Sequence, residues 1–214
     1  MEINVLSINA GMPKEVPFQN KSIATGIYKT PVSGRVFVSR GNIEGDGQAD
    51  LTVHGGVDKA VCVYCFEHYP YWEKILGQKL SAGAFGENLT ISGAIEQDIM
   101  IGDIYQMGEA VFQVSLPRQP CYKLSLKWNE PSLPMMIKET GYSGFYFRVL
   151  QEGIIEQGET LQLVKRHPDA VSIAFANYIK YKDMQNKEGL QKLVQLDELA
   201  QSWKEVFQKR LVEK

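Results

Sequence analysis

From about residue 4 to about residue 163 the apolar residues fall in short β-branched or aromatic runs, cut by glycine and proline roughly every ten residues. That pattern predicts a sandwich or a barrel. The runs at 35–39 (RVFVS), 61–66 (VCVYCF), 110–116 (AVFQVSL), 144–150 (GFYFRVL) and 160–164 (TLQLV) are predicted strands of ordinary length. Turn-forming residues separate them: Gly41-Asn42, Gly45-Asp46-Gly47, His54-Gly55-Gly56, Ser92-Gly93 and Gly102-Asp103. Two helices interrupt the pattern. One covers 67–76 and stops at Gly77, with Pro70 near its start; the other covers 133–140 and ends at Gly141.

Past His167-Pro168 the period changes, and 169–182, 187–196 and 197–211 read as helices with no strand-like run among them. In the last of these, Leu199, Trp203, Val206, Phe207 and Leu211 recur at spacings that share one face, with Glu198, Lys204, Glu205 and Lys209 elsewhere. Three short helices bury little by themselves. That face must therefore dock on the other helices and on the β domain or a second copy of the chain, which leaves a homodimer open. The expected organisation is a mainly β domain with a few short helices, residues 1–165, followed by a small α-helical domain, residues 166–214.

Composition narrows the setting. At 214 residues, with 44% hydrophobic and 22% charged residues, the chain can bury a full core, and no stretch approaches the ~20 apolar residues of a membrane span. A soluble protein with no membrane partner is expected. The first ten residues carry Glu2 and Asn4 and no basic, apolar or cleavable leader pattern, which predicts a cytoplasmic location. A net charge of −2 without basic runs gives no footprint for nucleic acid, so small molecules or proteins are the expected partners. Three cysteines, an odd number, fit a reducing compartment.

Most of the candidate chemistry fails on inspection. Cys62-Val63-Tyr64-Cys65 has the C-x-x-C spacing, but residues three apart in a strand point to opposite faces, so the sulfurs cannot converge on one ion. His54, His68 and His167 lie far apart and make no zinc motif; His68 is expected to cap or pack its helix. Gly45 to Asp50 (GDGQAD) lacks the third glycine of a dinucleotide loop and the final glutamate of a calcium loop, and reads as a turn before a strand. Gly141 to Phe145 (GYSGF) departs from a nucleophile elbow, since a strand follows the serine where a helix should. Cys121 differs. It follows a strand, sits in Pro117-Arg118-Gln119-Pro120-Cys121-Tyr122-Lys123, and has two cations that favour thiolate if they face the sulfur. The residue types alone leave a functional thiol and an inert one equally open. So do His54-Gly55-Gly56 with Lys59, either an anion cradle before a strand or a tight turn, and Glu87-Asn88, which either meet a polar heterocycle or close a turn.

In combination, the segments GIYKTPV, GDGQAD, VHGGVDKAV, EHYPYW, FGENLT, IGD, PRQPCYKL and TGYSGFYFRVL make the chain resemble the MOSC family, domains homologous to the C-terminus of molybdenum cofactor sulfurase. The likeness spans about residues 20 to 165, and the tail resembles that of the stand-alone bacterial branch with three C-terminal helices. The resemblance implies a MOSC-type β-barrel binding molybdenum cofactor, the molybdopterin type, with Cys121 as thiolate ligand to the metal and Arg118 beside it. It further implies that Lys29 and Thr30 hold the cofactor's phosphate and that Asn88 contacts cofactor or substrate. His54 as proton donor, Lys59 and Arg148 complete the expected set, although Arg148 alternates with Phe147 and Val149 along its strand. The implied activity is reduction of N-hydroxylated compounds such as 6-hydroxylaminopurine to amines, a detoxification. The alternative is a carrier of molybdenum cofactor or sulfur without turnover. The chain shows no dinucleotide fingerprint, flavin site or iron–sulfur cysteine set, so a separate flavoprotein or iron–sulfur protein is expected to deliver electrons.

Overall fold

The computed structural model describes residues 3–18 and 20–213. Strand β1 (Ile3–Ala10) leads into a hairpin of β2 (Lys14–Phe18) and β3 (Lys21–Thr25), then the short β4 (Thr30–Pro31) and β5 (Arg35–Val38). The helical turn α1 (Leu51–His54), β6 (Val61–Cys65), α2 (Tyr69–Leu76), β7 (Leu89–Ser92), β8 (Ile104–Met107) and β9 (Ala110–Pro117) follow. Two short helices, α3 (Lys123–Trp128) and α4 (Leu133–Thr140), precede β10 (Phe145–Gln151), β11 (Gly153–Glu156) and β12 (Thr160–Lys165). Three helices end the chain: α5 (Ile173–Tyr181), α6 (Lys187–Gln195) and α7 (Gln201–Val212).

Strands β12, β8, β9, β10, β6, β7 and β1 pair in that order, and β1 returns to β12, closing a seven-stranded barrel. Every pairing is antiparallel except β6 with β7. Closure demands this: strand directions agree around a ring only if antiparallel pairings are even in number, so an odd ring needs a parallel pair. Strand β6 is buried along its whole length. Val61, Val63 and Cys65 point into the barrel core, whereas Tyr64 joins an outer core with Trp72, Phe85, Leu124, Leu133 and Ile137. That outer layer comes from α2, α3 and α4. The Tyr64 ring stacks on Phe85 at 4.3 Å, and its hydroxyl accepts from Trp72 Nε1 and donates to the Tyr142 carbonyl.

Two local expectations change. The 45–50 turn is followed by α1, because Asp50 Oδ1 accepts from Thr52 N and Val53 N and so caps a helical turn where a strand was expected. Likewise a 3₁₀ turn over Val57–Lys59 separates the glycine pair from β6. Gly77 and Gly141 end α2 and α4 in left-handed conformation, as helix-stopping glycines do.

The tail docks within the chain. Trp203 and Phe207 are fully buried in the same core as the barrel interior, Ala200 N donates to Ser115 O in β9, and Ile173 N donates to Ile99 O. Among the described residues, no helix is long and apolar enough to cross a membrane.

One feature of this interface carries a measurable cost. Lys180 of α5 is 6% exposed, with its ammonium 3.9 Å from the Trp203 ring centroid, and desolvation, then Arg210 and Lys59, pull its pKa down to about 8. Below pH 8 both folded and unfolded chains hold this proton and the burial cost is fully present. Between about 8 and the ordinary 10.5 only the unfolded chain holds it, so this group's contribution to stability rises with pH. Lys180→Met is expected to stabilise the fold at pH 7 by about 1–2 kcal/mol, roughly 2–8 °C in Tm, after loss of the cation–π contact. The advantage over wild type should shrink toward pH 10. Melting curves at both pH values check this, and a pH-independent difference counts against the burial cost.

Candidate functional site

The outer faces of β6 and β10 form the wall of a cleft. Alternation puts Phe145, Phe147 and Val149 in the core and Tyr146 outward, beside outward-facing Cys62 on β6. Strand β9 leaves the barrel at Pro117, and Arg118 N donates to Gly144 O, which fixes the exit against β10. The chain then turns through Gln119-Pro120-Cys121 into α3, where Leu124 N donates to Cys121 O. From the other side α1 brings His54, and Nε2 of its ring lies 3.6 Å from Cys121 Sγ.

The resulting cleft, about 570 Å³ and open to solvent, is lined by Lys29, Lys59, Arg118 and Lys123 together with His54, Cys121, Cys62, Asn88 and Tyr146. Among the described residues, no carboxylate lines it. Desolvation, then the charges of Lys123, Arg118 and Lys59, push His54 down to about 4, so its imidazole is neutral at pH 7. The Lys59 ammonium donates to Val53 O, and burial lowers its pKa too. Desolvation opposes charge on the buried Arg118, but its pKa still lies above the ordinary arginine value, the carboxylate of Glu87 being among the groups that favour its charge, and the guanidinium stays charged, with Nη2 bonded to Phe85 O. The Cys62 thiol and the Tyr146 hydroxyl are both raised by burial and remain protonated.

Two further groups fasten the cleft's polar wall. Asp46 takes Lys29 Nζ and Gly11 N on Oδ1 and Asn88 Nδ2 on Oδ2. Glu87, fully buried, accepts from Gly83 N, Phe85 N, the Tyr69 hydroxyl and the Thr90 hydroxyl. Gly86, at φ 76°, lets this loop lie on Ile27, whose side chain a Cβ would meet at 2.9 Å.

The structure thus brings Cys121, His54, Arg118, Lys29, Lys59 and Asn88 to one cleft. The amide of Asn88 is already engaged, accepting from Cys62 N and donating to Asn9 O and Asp46 Oδ2. Thr30 does not reach the cleft: it is exposed in β4, paired with Ala10, one residue past Lys29 and so turned the other way. Nor does Arg148. Asp58, Gln113 Oε1 and the Glu198 carbonyl hold its guanidinium between the barrel and the tail. Gly55 and Gly56 lie outside the lining, leaving His54 as the contribution of that turn.

Residues missed by sequence reasoning are Asp46, Glu87's role as loop anchor, Tyr146, and Cys62, which had been set aside with Cys65. The two cysteines do diverge: Cys65 points into the core, where its sulfur lies within 4.8 Å of His68 and Glu96 ligand atoms. His68 Nε2 and Glu96 Oε2 are 2.6 Å apart, Glu96 also takes Gly144 N, and the His68 ring stacks on Tyr142 at 3.8 Å, so this histidine packs as expected.

Comparison with known proteins matches residues 50–162 to the MOSC domain and residues 171–212 to the YiiM-like, 3-alpha helix domain. YflK of Bacillus subtilis (strain 168) is 47% identical over 207 residues, 97% of this chain and 94% of that protein. The crystal structure of YiiM from Geobacillus stearothermophilus superposes with a TM-score of 0.85 at 46% identity, over 98% of this chain and all of that one. A Gibberella moniliformis (strain M3125 / FGSC 7600) protein named Reductase is 36% identical over 166 residues, 76% of this chain but 29% of that protein.

Proposed function

This chain belongs to the MOSC domain family, with a YiiM-like three-helix tail, and on that premise we propose that it is a molybdenum-cofactor-dependent reductase of N-hydroxylated compounds. The observation that carries the reading is the composition of the cleft: a partly exposed thiol among four cationic side chains, with no lining carboxylate among the described residues. Molybdopterin is anionic through its phosphate and dithiolene, and its metal takes a soft thiolate, so the donor set fits the group. The family is associated with binding this cofactor, and the Gibberella relative's name points to reduction.

In this reading Cys121 ligates the metal, while Lys29, Lys59, Lys123 and Arg118 neutralise the cofactor's anionic groups. Asp46 and Glu87 keep Lys29 and the loop that Arg118 grips in place. When bound, the cofactor supplies a two-electron couple. The balanced reaction is R–NHOH + 2e⁻ + 2H⁺ → R–NH₂ + H₂O, with electrons from a separate flavoprotein or iron–sulfur protein. Neutral His54, 3.6 Å from the sulfur, relays a proton taken from solvent rather than storing one.

The test is protein expressed in a cofactor-producing host and analysed for molybdenum and pterin, then assayed with 6-hydroxylaminopurine and an artificial one-electron donor. Near one molybdenum per chain with amine formation is the expected result; molybdenum bound without turnover supports the carrier alternative instead.

A further inference from the structure

A second cleft, about 850 Å³, shares His54, Lys59, Cys121, Lys123 and Tyr146 with the first, so the Cys121–His54 pair belongs to both. Its own lining is Asp50, Val53, Leu116, Gln119, Pro120 and Tyr122. The chemistry of the two chambers differs. Lys29 and Arg118 belong to the first alone, and among the described residues Asp50 is the only ionised group that belongs to the second alone. Asp50 caps α1 through Oδ1, leaving Oδ2 without a donor among the described residues. The Gln119 amide offers both a donor and an acceptor, and Val53, Leu116, Pro120 and Tyr122 supply apolar surface. Tyr122 is 52% exposed and Val53 54%, so both have surface left to offer a ligand beside Cys121.

Resting on the reductase reading above, we infer that the Cys121–His54 pair divides the site, with the anionic cofactor in the Lys29–Arg118 chamber and the substrate in the second. The substrate that suits this chamber is a neutral planar heteroaromatic hydroxylamine. It lies against Tyr122, presents N–H groups to Asp50 and Gln119, and brings its N–O bond to the thiol side of the wall. Tyr122 is then a substrate-binding residue with no part in holding the cofactor.

The experiment measures three quantities for wild type, Tyr122→Ala, Tyr122→Phe and Lys29→Ala: molybdenum per chain, steady-state constants for 6-hydroxylaminopurine, and calorimetric affinity for that same compound. Tyr122→Ala is expected to raise KM and Kd by about tenfold or more, the scale of a lost base–aromatic stack, with kcat within about threefold and molybdenum content unchanged. Tyr122→Phe keeps the ring and restores both constants, and Lys29→Ala lowers molybdenum content. Unchanged KM and Kd in Tyr122→Ala, or loss of metal in that variant, overturns the assignment while leaving the reductase reading standing. If wild type shows no turnover but Tyr122→Ala still weakens binding, the chamber stands and the reductase reading falls. A wild type that neither turns over nor binds the compound overturns both.

Discussion

The Cys121→Ser variant is expected to fold like wild type and to lose reductase turnover by at least about a thousandfold, some 4 kcal/mol of transition-state stabilisation. The fold is spared because Cys121 is only partly buried, is not among the residues of either hydrophobic core, and keeps its backbone bond to Leu124 N whatever its side chain. Activity is lost because a serine hydroxyl ionises far above pH 7 and offers a hard oxygen where a soft metal centre needs a thiolate. The cationic lining is untouched, so some cofactor binding survives, and molybdenum content falls much less than turnover. Steady-state assay with metal analysis on the same preparations separates the two effects. Retention of kcat within tenfold removes Cys121 as the ligand. Cys62→Ser serves as the contrast: its thiol lines the same cleft but is held protonated by burial, so a deficit there belongs to packing.

Strands with enough β-branched or aromatic residues to declare themselves were legible in the sequence. The runs at 35–39, 61–66, 110–116, 144–150 and 160–164 correspond to β5, β6, β9, β10 and β12, and both internal helices stop at their glycines. The strands not named were those whose identity depends on their partners. β1 mixes Asn and Ser among its apolar residues, β4 is two residues long, and β2 and β3 are an exposed charged hairpin that, among the described residues, pairs with no further strand. Pairing energy comes from neighbours distant in sequence, and a local pattern carries no record of it.

The site divides along the same line. Proline and cation spacing marked the Cys121 loop, but local spacing alone could not say whether the thiol acts; family resemblance supplied the role. Asp46 was hidden because its three partners lie at Gly11, Lys29 and Asn88, and its own surroundings read as a turn. Cys62 could have been found. The alternation that separated it from Cys65 also puts it on the outward face with Tyr146, and the two line the cleft together. Arg148 shares that outward face, yet further along β10 it meets Asp58 and the tail rather than the cleft, a distinction only the barrel's closure sets.

Glu87→Ala is expected to destabilise the protein by about 3–5 kcal/mol, roughly 6–20 °C in Tm, without touching any group that meets a ligand. The carboxylate is wholly buried and accepts four hydrogen bonds, two from the backbone at Gly83 and Phe85 and two from the Tyr69 and Thr90 hydroxyls. It is also an anion beside the buried Arg118 and the half-buried Lys127: its charge raises the pKa of both, whereas desolvation pulls Lys127 down to about 8. Alanine leaves the four donors unmatched and both cations less compensated. Glutamine keeps the volume, but both carboxylate oxygens face donors, so one must meet an amide NH₂, and the charge is gone. Glu87→Gln should therefore lose less than Glu87→Ala and still lie well below wild type. Because the 83–88 loop carries the Phe85 carbonyl that holds Arg118, the losses in stability should be matched by weaker retention of molybdenum. Urea unfolding of all three proteins decides the ranking. A loss under about 1 kcal/mol in Glu87→Ala, the scale of one ordinary hydrogen bond, would show that water replaces the carboxylate and that Glu87 is not the anchor of the cleft's cationic wall.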